Sequence, residues 1–189
     1  MAVVASGAAT APRALPDELA FERSGQIWIV GANGTKQRAV TRGYTPTWTS
    51  DGRLIAFSSS VWTPENPEIY VVRPDGTGRR RLTKTKGSVD VLGDDGWPSW
   101  APGGKRIAFS SNRAGDGEIW IMNANGRGQH RLAGLPGRDD WAPSFSADGR
   151  RIAFHSLGAN GQSRLYVVRP NGTGLRPLGI AGTDAAFRP

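Results

Sequence analysis

The sequence has no cysteine, two histidines and two methionines in 189 residues. Without cysteine there can be no disulfide framework, thiolate nucleophile or thiolate-held zinc, and the compartment stays open because a secreted protein need not carry cystines. No run of about 18 apolar residues is present, so no helix spans a membrane. The G-x-S-x-G elbow, the H-E-x-x-H helix and the phosphate-cradling P-loop are all missing. The two histidines, His130 and His155, come with no nucleophile motif beside them, so no catalytic residue is expected. His130 is expected at the surface. The first 16 residues, MAVVASGAATAPRALP, look like the end of a signal peptide but lack a basic start and a full apolar stretch. They are expected to form a flexible tail at 1–16, ahead of one domain at 17–189.

What is present is glycine, proline and repetition. With 26 Gly, 13 Pro, 38% hydrophobic and 21% charged residues, the chain suits a turn-rich all-β fold. The stretch PTWTSDGRLIAFSSS from Pro46 returns as PSWAPGGKRIAFSSN from Pro98 and PSFSADGRRIAFHSL from Pro143. The unit aromatic falls at Trp48, Trp100, Phe145 and Phe187, in steps of 52, 45 and 42 residues. That period is close to the 40 to 45 residues of a propeller blade. Each full unit holds four apolar runs with period-2 alternation, the pattern of strands. Short Gly turns join the first two runs. Asn33-Gly34, Asp75-Gly76, Asn125-Gly126 and Asn171-Gly172 join the last two. Asx-Gly accepts the positive φ angles of a tight hairpin. The Asn-Gly-Thr triplets at 33 and 171 match a glycosylation sequon only because of that turn.

The chain ends continue the same register. Residues 18–41 supply strands two to four of a unit, and DAAFRP at 184–189 supplies a first strand. The predicted fold is therefore a four-bladed β-propeller of four-stranded antiparallel blades at about 17–42 plus 184–189, 44–84, 97–133 and 142–179, the closing blade shared by the N- and C-terminal strands. Closure removes sheet edges and gives a monomer. The alternative is an open or domain-swapped dimer that completes a larger ring. Phe21, Trp48, Phe57, Trp100, Phe109, Phe145 and Phe154 are expected in the core, each blade burying its face against the next. The net charge of +8 gathers in clusters such as Arg79-Arg80-Arg81 and Arg150-Arg151 beside turns. Solvated edges explain these better than nucleic acid does.

The pattern P-x-[W/F]-[S/T/A]-x-[D/G]-G-x-x-I-A-F-x-S, followed by EIW or EIY, then DG or NG and RL, resembles the TolB-type β-propeller repeat over about 18–189. The resemblance implies a propeller and an extracytoplasmic setting, periplasmic, envelope or secreted. Repeats of this type occur in envelope scaffolds, in gating propellers of peptidases and in polysaccharide lyases. Family members with an extra N-terminal domain and more blades differ from this sequence, so their partner is not carried over.

Antiparallel blades place the one-two and three-four turns at one end and the irregular loops at the other. Variable loops on a rigid scaffold are where binding usually resides. Candidate binding residues on that face are Tyr44, Trp62, Asp94, Asp95, Trp97, Arg113, Asp116, Asp139, Asp140, Trp141, His155 and Asp184. Asp94, Asp95 and Trp97 align loosely with Asp139, Asp140 and Trp141. Asp95, Asp140 and Asp184 could converge on the channel and hold Ca²⁺ or another hard cation, or each could cap a turn. Trp62, Trp97 and Trp141 with Arg113 and Tyr44 could form a hot-spot patch, or pack loops over the blades. The expected function is a non-catalytic scaffold binding a protein or peptide on the irregular face. A carbohydrate-active, lyase-like enzyme using a metal and carboxylates at the channel mouth is the alternative.

Overall fold

In each repeat an Asx side chain folds the three-four turn onto itself. Asp75 Oδ1 accepts hydrogen bonds from the Thr77 N–H at 2.8 Å and the Thr77 hydroxyl at 2.7 Å. Asn171 Oδ1 does the same for Thr173 at 3.1 and 2.8 Å. The following Gly takes φ near +82° at Gly76 and Gly172, which a side chain would strain. These turns fix the register of the strands on either side.

The computed structural model describes residues 17–61, 66–85 and 94–187. The expected tail at 1–16 and Trp62 lie outside them. Fifteen strands form four antiparallel sheets, each joined in chain order, and no helix occurs among the described residues. The first blade holds β1 (Glu18–Arg23), β2 (Gln26–Gly31) and β3 (Arg38–Arg42). The second holds β4 (Tyr44–Trp48), β5 (Ile55–Ser59), β6 (Glu68–Val72) and β7 (Arg80–Arg81). The third holds β8 (Asp95–Trp100), β9 (Arg106–Ser111), β10 (Glu118–Asn123) and β11 (His130–Ala133). The fourth holds β12 (Arg138–Phe145), β13 (Ile152–Gly158), β14 (Ser163–Val168) and β15 (Arg176–Ala181). This is the four-bladed propeller that the repeats imply.

Three apolar seams hold neighbouring blades together. Ala56, Ile69, Val71 and Leu82 of the second blade pack on Trp100, Ile107, Phe109 and Met122 of the third. Ile27 and Ile29 meet Phe57 and Tyr70 in the seam before it. Ile119 and Ile121 meet Phe145 and Phe154 in the seam after it. Phe57, Phe109 and Phe154 are fully buried. Each such ring removes about 150–250 Å² from water, worth roughly 4–6 kcal/mol before entropy is subtracted. Because a seam draws half its surface from each blade, no blade is stable alone.

The outer blades differ. Leu19 on β1 is 59% exposed and Ile180 on β15 is 56% exposed. Phe21 and Trp48, expected in the core, are only half-buried, because the first blade has three strands. Asp184 takes φ +50°, matching +51° at Thr45, +49° at Trp97 and +53° at Ala142. Asp184 thus repeats the backbone conformation of the other three units, and Asp184, Ala185 and Ala186 line the same cavity as Thr45, Trp97 and Ala142. Among the described residues no ladder joins them to β1.

Candidate functional site at the channel mouth

The innermost strands β4, β8 and β12 each break register at the same point. The irregularities fall between Tyr44 and Thr47, Gly96 and Ser99, and Trp141 and Ser144. Such bulges bend a strand and re-aim its side chains. Inside each sits a left-handed residue followed by proline: Thr45-Pro46, Trp97-Pro98 and Ala142-Pro143. Positive φ is strongly disfavoured for a β-branched or bulky residue, at a cost of order 1–3 kcal/mol. Hydrogen bonds hold the bulges in place. The Thr45 and Ser58 hydroxyls lie 2.9 Å apart, and the Ala142 N–H donates to Ser110 Oγ at 3.1 Å.

These bulges and Asp184-Ala185 line one open cavity of about 260 Å³. Trp97 is 42% exposed at its rim, and its ring lies 5.2 Å from that of Trp141, tilted at 55°. Gly117 provides the seat for Trp141, since a Cβ there would come within 2.6 Å of the indole. The mouth is therefore rigid and proline-lined, with one presented indole backed by another. The loose alignment of Trp97 with Trp141 is out by one position, because Asp95 matches Asp140 and Trp97 matches Ala142 once the bulges are registered.

The carboxylates go elsewhere. Asp95 and Asp140 are both fully buried, and neither lines the cavity. Asp95 Oδ2 accepts from the Thr85 hydroxyl at 2.9 Å and from Arg113 at 2.5 Å. Asp140 Oδ2 accepts from the Leu135 N–H at 3.0 Å, and its own N–H donates to the Gly117 carbonyl at 2.8 Å. Burial pushes the Asp140 carboxyl up to about 6, against the pull of Ser156 and the Leu135 N–H. Each aspartate sits beside a buried glutamate that opens the third strand of the preceding blade, Glu68 or Glu118. Burial raises Glu68, although Thr83 and the Thr85 N–H hold its carboxylate. No motif announced these glutamates; the only signal was their shared place at the head of EIY and EIW.

The remaining candidates close loops. Asp94 donates its N–H to Asn112 at 2.6 Å, and burial raises its carboxyl. Asp139 accepts from the Gly117 N–H at 2.8 Å, and Asp116 accepts from Gly137 at 3.1 Å. Tyr44 is half-buried, with its phenol raised by burial. Arg113 does not join the Trp97 patch. It donates to Ser111 and Gln129 as well as Asp95, and its guanidinium lies 4.7 Å from the Trp120 ring. His155 is lowered by burial, and its Nδ1 accepts from the Asp184 N–H at 3.3 Å. Asp184 is exposed at the cavity. Asp95, Asp140 and Asp184 therefore do not converge, and no group of three or more His, Asp or Glu able to hold a metal occurs among the described residues.

Residues 25–187 match the model of the TolB beta propeller domain. The chain belongs to that family. It is 33% identical over 129 residues to the TolB homolog of Chlorobium luteolum, covering 68% of this chain and 27% of the relative. To the Tol-Pal system protein TolB of Desulfosudis oleivorans it is 30% identical over 130 residues, 64% of this chain and 27% of that protein. The crystal structure of TolB from Acinetobacter baumannii superposes with a TM-score of 0.70 at 22% identity, over 90% of this chain and 42% of that one. An oligogalacturonate lyase in complex with manganese shares the fold, with a TM-score of 0.62 at 15% identity. The TolB-type chain thus spans 27% of the two TolB sequences and 42% of the solved TolB chain.

Proposed function

We propose that this TolB-type propeller is a non-catalytic scaffold, acting outside the cytoplasm, that binds a protein or peptide segment at the irregular end of its channel. The observation that supports this most is Trp97, a bulky residue kept in a left-handed conformation, half-exposed and tilted against the ring of Trp141. Strain of that kind persists where surrounding structure enforces it, and tryptophan on a rigid pocket is a typical binding anchor. Pro46, half-buried at the same cavity, adds apolar contact with little entropy to lose. The relatives include proteins named for the Tol-Pal system, which agrees with a protein partner. The lyase-like alternative is not favoured, because Asp95 and Asp140 are buried away from the mouth and only Asp184 of the three candidate carboxylates lines it. A photo-crosslinking side chain at position 144, in the same cavity as Trp97, is expected to trap a discrete protein adduct in intact cells, while one at position 150 on the opposite end does not give that adduct. Identical adducts from both positions, or none from position 144, would overturn the proposal.

A further inference from the structure

The positive charge is not spread over the surface. The turn end comprises residues 17–18, 32–38, 49–53, 73–80, 101–106, 123–128, 146–151 and 169–176. These short stretches hold 13 of the 24 Lys and Arg and 5 of the 16 Asp and Glu. Their net charge of +8 equals that of the whole chain, and everything else sums to zero. Contacts between blades confirm that the turns share one end. Arg80 donates to the Asn125 carbonyl at 3.1 Å and Arg106 to the Pro170 carbonyl at 3.3 Å. Two of the five turn carboxylates pair with turn cations, Glu18 with Arg38 at 2.8 Å and Asp51 with Arg53 at 3.7 Å. Asp148 is engaged by the Ser146 hydroxyl and the Arg150 N–H, and Asp75 by Thr77. Eleven of the 13 cations are exposed. The densest point is an open cleft lined by Arg106, Arg150, Arg169 and Asn171. None of its three arginines forms an ion pair among the described residues.

We infer that the turn end is a docking face for an anionic lipid bilayer, adsorbed through headgroup phosphates and not inserted. The segments contain no Phe, Tyr or Trp, so they offer neither the stacking platform that single-stranded nucleic acid uses nor an aromatic anchor for insertion into the interface. What they offer is repeated guanidinium on the ends of interlocked hairpins. Guanidinium matches phosphate geometry, and each Lys or Arg near an anionic leaflet adds to the attraction. With the turn end on a membrane, the mouth bearing Trp97 faces away and stays free.

The test is sedimentation of the full chain with vesicles of phosphatidylcholine alone or with about 30% phosphatidylglycerol, where binding is expected only to the anionic vesicles and should fade as salt rises toward about 0.5 M. Arg150→Gln with Arg169→Gln should weaken partitioning roughly tenfold or more, whereas Arg42→Gln with Arg164→Gln, an equal charge loss at the irregular end, should change it less than about threefold. Unchanged circular dichroism shows that both variants are folded. Four outcomes would each overturn the inference: equal sedimentation with neutral vesicles, equal loss in the two variants, full release by millimolar inorganic phosphate at constant ionic strength, or tighter retention on duplex DNA at the same salt.

Discussion

The guanidinium of Arg113 reaches the fully buried carboxylate of Asp95 at 2.5 Å while lying over the indole of Trp120. A cation predicted to face a partner is instead a clamp between strands of the third blade. Removing one member of such a pair leaves a charge buried without compensation. Arg113→Met should lower the unfolding free energy by about 3–5 kcal/mol in denaturant titration. Adding Asp95→Asn should restore part of that, and strict additivity of the two losses would show that the pair is not coupled.

Asp140 gives stability a pH dependence of definite sign. Its folded-state carboxyl is held up to about 6 by burial, whereas an unfolded chain takes up the same proton only near pH 4. Between those values the folded state binds more protons. Stability is therefore expected to rise as pH falls from 7 toward 4, by an amount on the order of 1–3 kcal/mol from this group, and to be lost again as pH rises through 6. Glu68 and Asp94, also raised by burial, act in the same direction. Thermal unfolding of Asp140→Asn should show a flatter profile and no loss at pH 7. A steeper profile in the variant would contradict the assignment.

Two turn glycines separate conformational strain from crowding. Gly34 has φ +77° with open space around it, while Gly126 has φ +84° and a Cβ there would meet the Leu82 carbonyl at 2.6 Å. Gly34→Ala should cost about 1 kcal/mol from backbone strain alone. Gly126→Ala should cost clearly more, because the turn must lift off the preceding blade. Equal melting temperatures for the two would refute the interlocking of turns.

The seams set a gradient of sensitivity along the chain. Phe109→Ala and Phe154→Ala remove fully buried rings and are expected to cost about 3–5 kcal/mol each. Phe21→Ala, at the half-buried equivalent position on β1, should cost less than half as much. Urea unfolding of the three variants decides this.

Much of the fold was legible because hairpin turns and period-2 runs are local signals. Asp75-Gly76 and Asn171-Gly172 announced their turns, and IAF marked the second strand of each complete blade. The seams were legible one step further, since an aromatic at Trp100 or Phe145 has only the neighbouring blade to pack on. The acids were not. Asp95 and Asp140 looked like rim residues by loop position, and only the packing of one blade on the next shows them buried beside Glu68 and Glu118. The bulges were hidden too, because a single extra residue shifts Trp97 against Trp141 without changing the motif. The recurring residue-proline step at 45, 97 and 142 was the one trace they left.

The most direct test of recognition at the channel mouth is Trp97→Gly, followed in parallel by thermal unfolding and by recovery of the photo-crosslinked partner from a probe at the neighbouring Ser144. Glycine accepts φ +49° without strain, so the melting temperature should stay within about 2–3 °C of the parent, relief of strain offsetting lost contact with Trp141. Partner recovery should fall at least tenfold. Undiminished recovery from a stably folded Trp97→Gly would contradict a binding mouth built around that indole.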